Sequence, residues 1–179
     1  MKGFTLIELL VVIVIIGLLA GIGIASFSGS LARGRIAKVV SDITEIKSAL
    51  TRYSIDTGSP PPHDHTWDTS CERAFLMSGR FAPNPGGWSG PYLEKWPVNS
   101  WKFAYHFEKW ESSPDVPDGY SISVQGVATS EMTMLDDALD DGDLSTGKVR
   151  AYTPQAGRME FYLPFEFAGV GTHTTSCTP

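Results

Sequence analysis

The fold is decided by residues 4–32, which read FTLIELLVVIVIIGLLAGIGIASFSGSLA. This stretch contains one charged residue, Glu8, and the next charged residue is Arg33. At ~1.5 Å per residue, a helix of this length can span a bilayer. We therefore predict a membrane helix that carries one carboxylate near its N-terminal end, where lipid ordinarily excludes charge.

The residues before this stretch explain how it is processed. In a secretory signal the cleavage site follows the apolar run, whereas here a cut after Gly3 would leave the whole run on the mature chain. In this respect residues 1–8 resemble the prepilin (class III) signal of the type IV pilin superfamily. Gly3 matches the residue before the prepilin peptidase cut, Phe4 the N-methylated terminus, and Glu8 the acid that is fifth after the cut. The resemblance implies an inner-membrane protein that polymerises into a filament through this helix.

Glu8 also has a role that can be argued from physical chemistry. A lone carboxylate in hydrocarbon is costly unless it is neutralised or paired. Cleavage would create a cationic α-amine at Phe4, and in a filament Glu8 of one subunit would meet the Phe4 amine of its neighbour. The alternative is that Glu8 lies at the cytoplasmic headgroup level and is simply hydrated.

Composition limits the remaining possibilities. The chain has 179 residues, enough for one domain plus a membrane helix, and its net charge is −6. Because no broad basic surface is visible, we expect no nucleic-acid partner. Cys71 and Cys177 lie in the part expected outside the cytoplasm, where disulfides persist. We therefore expect a Cys71–Cys177 disulfide, and the alternative is two free thiols.

The flanking charges and the type of signal predict opposite orientations of the apolar run in the membrane. Arg33, Arg35 and Lys38 follow the run directly, and a count of positive charges would place that side in the cytoplasm. A long following domain can translocate regardless of charge, and the signal type implies a cytoplasmic N-terminus. We expect an inner-membrane protein with a periplasmic head, which then enters a periplasmic or extracellular filament.

The chain divides into four parts after a leader of residues 1–3. A helix is predicted over residues 4–56, apolar over 4–32 and amphipathic over 33–56, and Gly58 with three prolines ends it. Residues 57–90 form a connecting loop, and residues 91–179 form the head. The amphipathic face consists of Ile36, Val39, Val40, Ile43, Ile46, Leu50 and Tyr53.

Alternating residues predict strands in the head. The three strands are centred on residues 101–107, 120–124 and 158–167. In the last of them, apolar side chains share one face, with Arg158, Glu160 and Glu166 on the other. The expected fold class is α+β, with a long N-terminal helix packed on a small antiparallel sheet, as in pilins.

A second resemblance concerns the head. Residues 92–101 and 118–126 are similar to the head of the type II secretion major pseudopilin. Asn99-Ser100-Trp101 departs from the aspartate-proline-tryptophan step of that family, and a pair of cysteines is commoner among true pilins. Both a major pilin and a major pseudopilin therefore stay open.

An acidic loop, residues 136–147, is the candidate metal site. We predict a short helix over residues 130–139, with Ser130 as N-cap and Gly142 as its stop. Acids at a helix C-terminus are unfavourable, and Ca²⁺ would relieve their repulsion. The resemblance implies a structural calcium in such a loop, although no cofactor is required; the alternative is a solvated acidic turn. The favoured ligands are Asp140, Asp141, Asp143 and Ser145.

These patterns predict a structural role. The expected function is a filament subunit whose partners are copies of itself, the prepilin peptidase, the membrane and an inner-membrane assembly platform. The alternative is a minor pilin whose head binds a ligand, an adhesin or DNA. An enzyme is not expected, because only His63 and His65 in the connecting loop are candidate catalytic groups.

Overall fold

The computed structural model describes residues 4–58, 76, 86–110 and 117–163, without the side chains of residues 22–28. Two compact units make up the chain, Met1–Arg35 and Ile36–Pro179. The predicted leader, most of the predicted connecting loop and both cysteines lie outside the described residues, as do His63 and His65.

The predicted long helix is confirmed as α1, Leu6–Thr57. It ends where glycine was expected to end it, because Gly58 has a φ of 72° and its N–H donates to the Ser54 carbonyl at 2.9 Å. No helix within the described part of the chain is long and apolar enough to cross a membrane.

The second unit is built on the amphipathic part of α1. The predicted apolar face is buried, apart from Val40, which is partly buried against the same core. Phe107, Ile122 and Phe161 of the sheet belong to this core as well. A polar contact adds to it, since the Tyr105 hydroxyl donates to Asp42 at 2.8 Å. The core therefore joins helix and sheet within one unit, as the α+β prediction required.

Four antiparallel strands form the sheet, in the order β1-β2-β4-β3. Strand β1 is His106–Trp110, β2 is Gly119–Val124, β3 is Val149–Ala151 and β4 is Met159–Tyr162. Between β2 and β3 lies the helix α2, Thr129–Leu139. The antiparallel prediction is confirmed, while the part of the third predicted strand beyond Leu163 lies outside the described residues.

The first strand begins later than the sequence pattern predicted. Residues 98–104 form a turn, because the Asn99 side chain accepts hydrogen bonds from the backbone N–H groups of Trp101 and Phe103 at 2.9 and 3.0 Å. Lys102 adopts a φ of 72° within it. A side chain that binds nearby backbone in this way competes with strand pairing. Phe103 is consequently 47% exposed instead of facing the core.

The predicted N-cap of α2 was also wrong. Ala128, with extended backbone angles, occupies that position, and no side chain caps it. The Glu131 N–H donates to the Ala128 carbonyl at 2.7 Å, so the helix begins one residue before Ser130. At the other end, Gly142 has a φ of 81° and follows the helix closely, as predicted.

Candidate assembly surface and acidic loop

The N-terminal part of α1 presents an apolar surface to its surroundings. The large apolar side chains between Phe4 and Leu19 are 47% to 87% exposed. Soluble monomers rarely leave more than a few hundred Å² of continuous apolar surface uncovered. This part of the helix therefore requires either lipid or other subunits against it. The side chains are Phe4, Leu6, Ile7, Leu9, Leu10, Val11, Val12, Ile13, Val14, Ile15, Ile16, Leu18 and Leu19.

Glu8 has a partner within its own chain. One oxygen, Oε2, accepts hydrogen bonds from both the backbone N–H and the hydroxyl of Thr5, each at 2.8 Å. In return, the Glu8 N–H donates to the Thr5 hydroxyl at 3.3 Å. This reciprocal arrangement is a capping box, which satisfies donors at the start of the helix. Among the described residues, no hydrogen bond reaches the other oxygen, Oε1.

Thr5 is a functional residue that the sequence interpretation missed. The spacing Thr-x-x-Glu at the start of an apolar run is a known signature of helix N-termini. The predicted contact between Glu8 and the Phe4 amine of a neighbour involves a second subunit, so it stays a prediction.

The acidic loop brings three carboxylates together. Oxygens of Asp136, Asp140 and Asp141 all lie within 4.8 Å of one another. Asp136 is fully buried, and among the described residues neither of its oxygens has a hydrogen-bond partner of ordinary geometry. Burial, followed by the charges of Asp141, Asp140 and Asp137, raises the pKa of Asp136 to about 6. The nearby Gly142 N–H partly opposes the rise in its pKa. A cation among these oxygens would offset the cost of that burial.

Only half of the predicted ligand set belongs to this group. Asp140 and Asp141 are in it, whereas Asp143 and Ser145 bind each other. The Ser145 N–H and hydroxyl both donate to Asp143 Oδ1, at 3.0 and 2.6 Å. These bonds lower the pKa of Asp143 and stabilise its charge without a metal. Asp136 was missed, although its position four residues before Asp140 placed the two on one helix face.

Asp140 also ties the loop to the sheet. Its Oδ2 accepts hydrogen bonds from the backbone N–H groups of Lys148 and Val149, the second at 3.3 Å. Gly147 makes this approach possible, because a Cβ on it would lie 1.8 Å from the same oxygen. Two backbone N–H groups and the absence of a Cβ at Gly147 therefore hold the end of the loop against the Asp140 carboxylate.

Gly147→Ala is therefore expected to destabilise the head. Its φ of 71° alone costs a non-glycine residue ~1–2 kcal/mol, and the clash with Asp140 adds to this. Urea unfolding of the full chain measures the loss of free energy. Gly86→Ala is the control, since a Cβ there meets nothing within 4 Å. Equal stability of the two variants would contradict this account of the loop.

Two family models and several known proteins match this chain. Residues 30–125 match the family model described as PilW, C-terminal, and residues 1–24 match the prokaryotic N-terminal methylation motif. The type II secretion system core protein G of Aeromonas hydrophila is 33% identical over 105 residues, 58% of this chain and 70% of that protein. The core protein G of Klebsiella michiganensis is 32% identical over 101 residues, 56% of this chain and 68% of that protein. A fimbrial protein of Pseudomonas aeruginosa is 34% identical over 82 residues, 44% of this chain and 53% of that protein. No solved structure gives a significant match.

Proposed function

Because the chain belongs to the type IV pilin superfamily, we propose that it is the major subunit of a type II secretion pseudopilus. The prepilin peptidase cuts it between Gly3 and Phe4, and the mature chain polymerises through residues 4–32. The methylation motif confirms the resemblance first found in these residues. Its relatives are pseudopilin and pilin proteins, which supports a structural rather than a catalytic role.

We prefer a pseudopilus to a pilus because of the share of each relative that this chain matches. The match to core protein G of Aeromonas hydrophila spans 70% of that relative, whereas the match to the fimbrial protein spans 53%. The longer match supports a shared head as well as a shared helix. A minor pilin with a ligand-binding head is not favoured by these relatives.

The apolar surface of α1 supports a mechanism of assembly. Before assembly, lipid of the inner membrane covers it, with the N-terminus in the cytoplasm and the head in the periplasm. In the filament, the same surface of other subunits replaces lipid, and an inner-membrane platform drives the transfer. Glu8 then fixes the axial register, because the free oxygen Oε1 is available to the Phe4 amine of the next subunit.

Mass spectrometry of unreduced protein from native cells tests the proposal. A processed chain that starts at methylated Phe4 and stays in the cell envelope, together with a secretion defect in a deletion strain, is the expected result. A processed chain that dominates the sheared extracellular fraction would instead support a major pilin. An uncut Met1 would overturn both.

The same spectrum tests a Cys71–Cys177 bond. We propose this bond from the oxidising location of the head, and it would make the chain two hydrogens lighter.

We also propose that the acidic loop holds a structural Ca²⁺ ion. The residues fit such an ion, because Asp136, Asp140 and Asp141 offer only oxygen ligands and no side chain of the described residues pairs with the buried Asp136. The ion would supply positive charge at the C-terminal end of α2, where the helix dipole disfavours acids. Asp143 and Ser145 remain further candidates, with their mutual hydrogen bonds as the competing interaction.

Calcium is expected to stabilise the full chain, and Asp136→Asn is expected to remove the effect. Stabilisation approaches ~2.7 kcal/mol when free Ca²⁺ is 100 times its dissociation constant. Without calcium, we expect Asp136→Asn to be more stable than the wild type above about pH 6. The pKa of Asp136 is raised to about 6 in the folded chain, so its negative charge lowers the free energy of unfolding above that pH. Thermal unfolding with Ca²⁺ and with a chelator measures both effects. Glu94→Gln, which changes an exposed acid outside the acidic loop, is the control. An unchanged calcium response in Asp136→Asn would remove this residue from the site.

A further inference from the structure

A buried group of three charged side chains lies in the sheet, outside the acidic loop. The guanidinium of Arg158 donates to Glu108 through Nη2 and to Glu160 through Nε, each at 2.6 Å. Arg158 is 2% exposed, Glu160 is fully buried and Glu108 is 6% exposed. We call these residues the Arg158 trio. It contains two acids and one base in a place that water barely reaches.

Neighbouring side chains enclose the trio. The Ser121 hydroxyl donates to Glu160 Oε2 at 2.7 Å and in turn accepts from Trp110 Nε1 at 2.9 Å. The Arg158 guanidinium lies over the Tyr152 ring, 4.3 Å from its centroid, and 5.4 Å from that of Trp110. Aromatic rings thus cover the cation, and the two carboxylates have different surroundings, since Glu160 receives a hydroxyl donor in addition to Arg158.

In the described strands, the other two cations, Arg150 and Lys109, lie against aromatic rings. On β3, Arg150 lies opposite Glu160 in register, but its Nε donates to the Gly147 carbonyl at 3.0 Å and its guanidinium lies over the Tyr162 ring. On β1, Lys109 lies over the ring of Tyr120 on β2. The remaining titratable groups on β1 and β4 are His106, which is opposite Ser123, and Tyr162, which is opposite Ser121.

We propose that the Arg158 trio holds one proton between its two carboxyl groups, so that the head is most stable with this proton bound and weakens as the proton leaves. Two carboxylates that share one buried cation cannot both ionise without leaving an uncompensated buried charge. Glu108 is the group that takes the proton, because Glu160 is stabilised as an anion by both Arg158 and Ser121.

Burial raises the pKa of both carboxyl groups, and at Glu160 the charge of Arg158 and the hydrogen bonds from Ser121 and Arg158 oppose that rise. Burial, followed by the charge of Glu160, raises the pKa of Glu108 from 4.5 to about 7 against the opposing effect of Arg158. A carboxyl whose pKa is higher in the folded than in the unfolded chain binds more protons when folded. Its contribution to stability is therefore present below about pH 4.5 and is lost as the pH rises towards 7.

Urea unfolding of the full chain in detergent, with a chelator present, tests the proposal between pH 5 and pH 8. The unfolding equilibrium constant should rise with pH, by at most about tenfold per pH unit for each proton released. Because Asp136 titrates in the same range, all chains are compared in an Asp136→Asn background. Glu108→Gln keeps an oxygen for Arg158 and removes the titrating group, so its profile should be flatter than that of the wild type. Glu94→Gln, which changes an exposed acid, should keep the wild-type profile. Identical profiles for Glu108→Gln and the wild type would overturn the proposal.

A second measurement does not depend on that variant folding. Carbon-13 NMR of glutamate-labelled protein reports each carboxyl directly, and a Glu8→Gln background removes the acid of the apolar helix. One glutamate carboxyl should titrate above about pH 6, well beyond the ordinary value for glutamate. If all glutamate signals titrate near the ordinary value, the trio is fully ionised at neutral pH and the proposal is wrong.

Discussion

Glu8→Val is expected to abolish filament formation while leaving the chain in the membrane. The valine preserves the apolar surface of α1 and removes the carboxylate proposed to bind the Phe4 amine of the next subunit. It also removes the acceptor for both Thr5 donors. Sheared filaments and membrane fractions, probed for the same chain, measure assembly and insertion separately. Wild-type levels of filament from Glu8→Val would contradict the assembly mechanism.

Two further variants separate the charge of Glu8 from its capping role. Glu8→Gln can still complete a capping box but carries no charge, so we expect it to fail in assembly as well. Thr5→Ala keeps the charge and weakens the start of the helix by ~1 kcal/mol, so it should still assemble. If Glu8→Gln assembled and Thr5→Ala did not, capping would be the role of this pair. Glu45→Gln, an exposed acid on the same helix, is the matched control.

Arg158→Met is expected to lower the free energy of unfolding by ~3–5 kcal/mol at neutral pH, the range for removing one partner of a buried ion pair. Methionine fills much of the space of the arginine stem, so the loss comes mainly from leaving Glu108 and Glu160 buried without a cation. The loss should shrink at acidic pH, because protonation removes their charge. Urea unfolding of the full chain at pH 5 and pH 7.5 measures both effects.

Two controls make this prediction specific. Arg150→Met alters a half-buried arginine of the same sheet and should cost only ~1 kcal/mol. The triple variant Glu108→Gln, Arg158→Met, Glu160→Gln should recover much of the loss, because no buried charge remains unpaired. A loss in Arg158→Met no larger than in Arg150→Met would show that the trio contributes little to stability.

The sequence by itself determined the N-terminal helix of this protein. The apolar run, the prepilin signal and the glycine that ends α1 are local features, readable within a few residues of one another. The same holds for the buried face of α1, because helical spacing fixes which side chains share a face. The Thr5–Glu8 capping box is local as well, because its Thr-x-x-Glu spacing lies directly at the start of the apolar run.

Only the tertiary structure decided where the polar groups of the head meet. Glu108 and Arg158 are fifty residues apart, and they meet because β2 lies between β1 and β4 in the sheet. Alternation along β4 correctly placed Glu160 opposite the core face, yet could not say that this second face is buried too. In the same way, the spacing of Asp136, Asp140 and Asp141 is local, but the complete burial of Asp136 depends on packing in the folded head. Strand order and loop closure depend on packing across the whole domain, and no local pattern of residues encodes them.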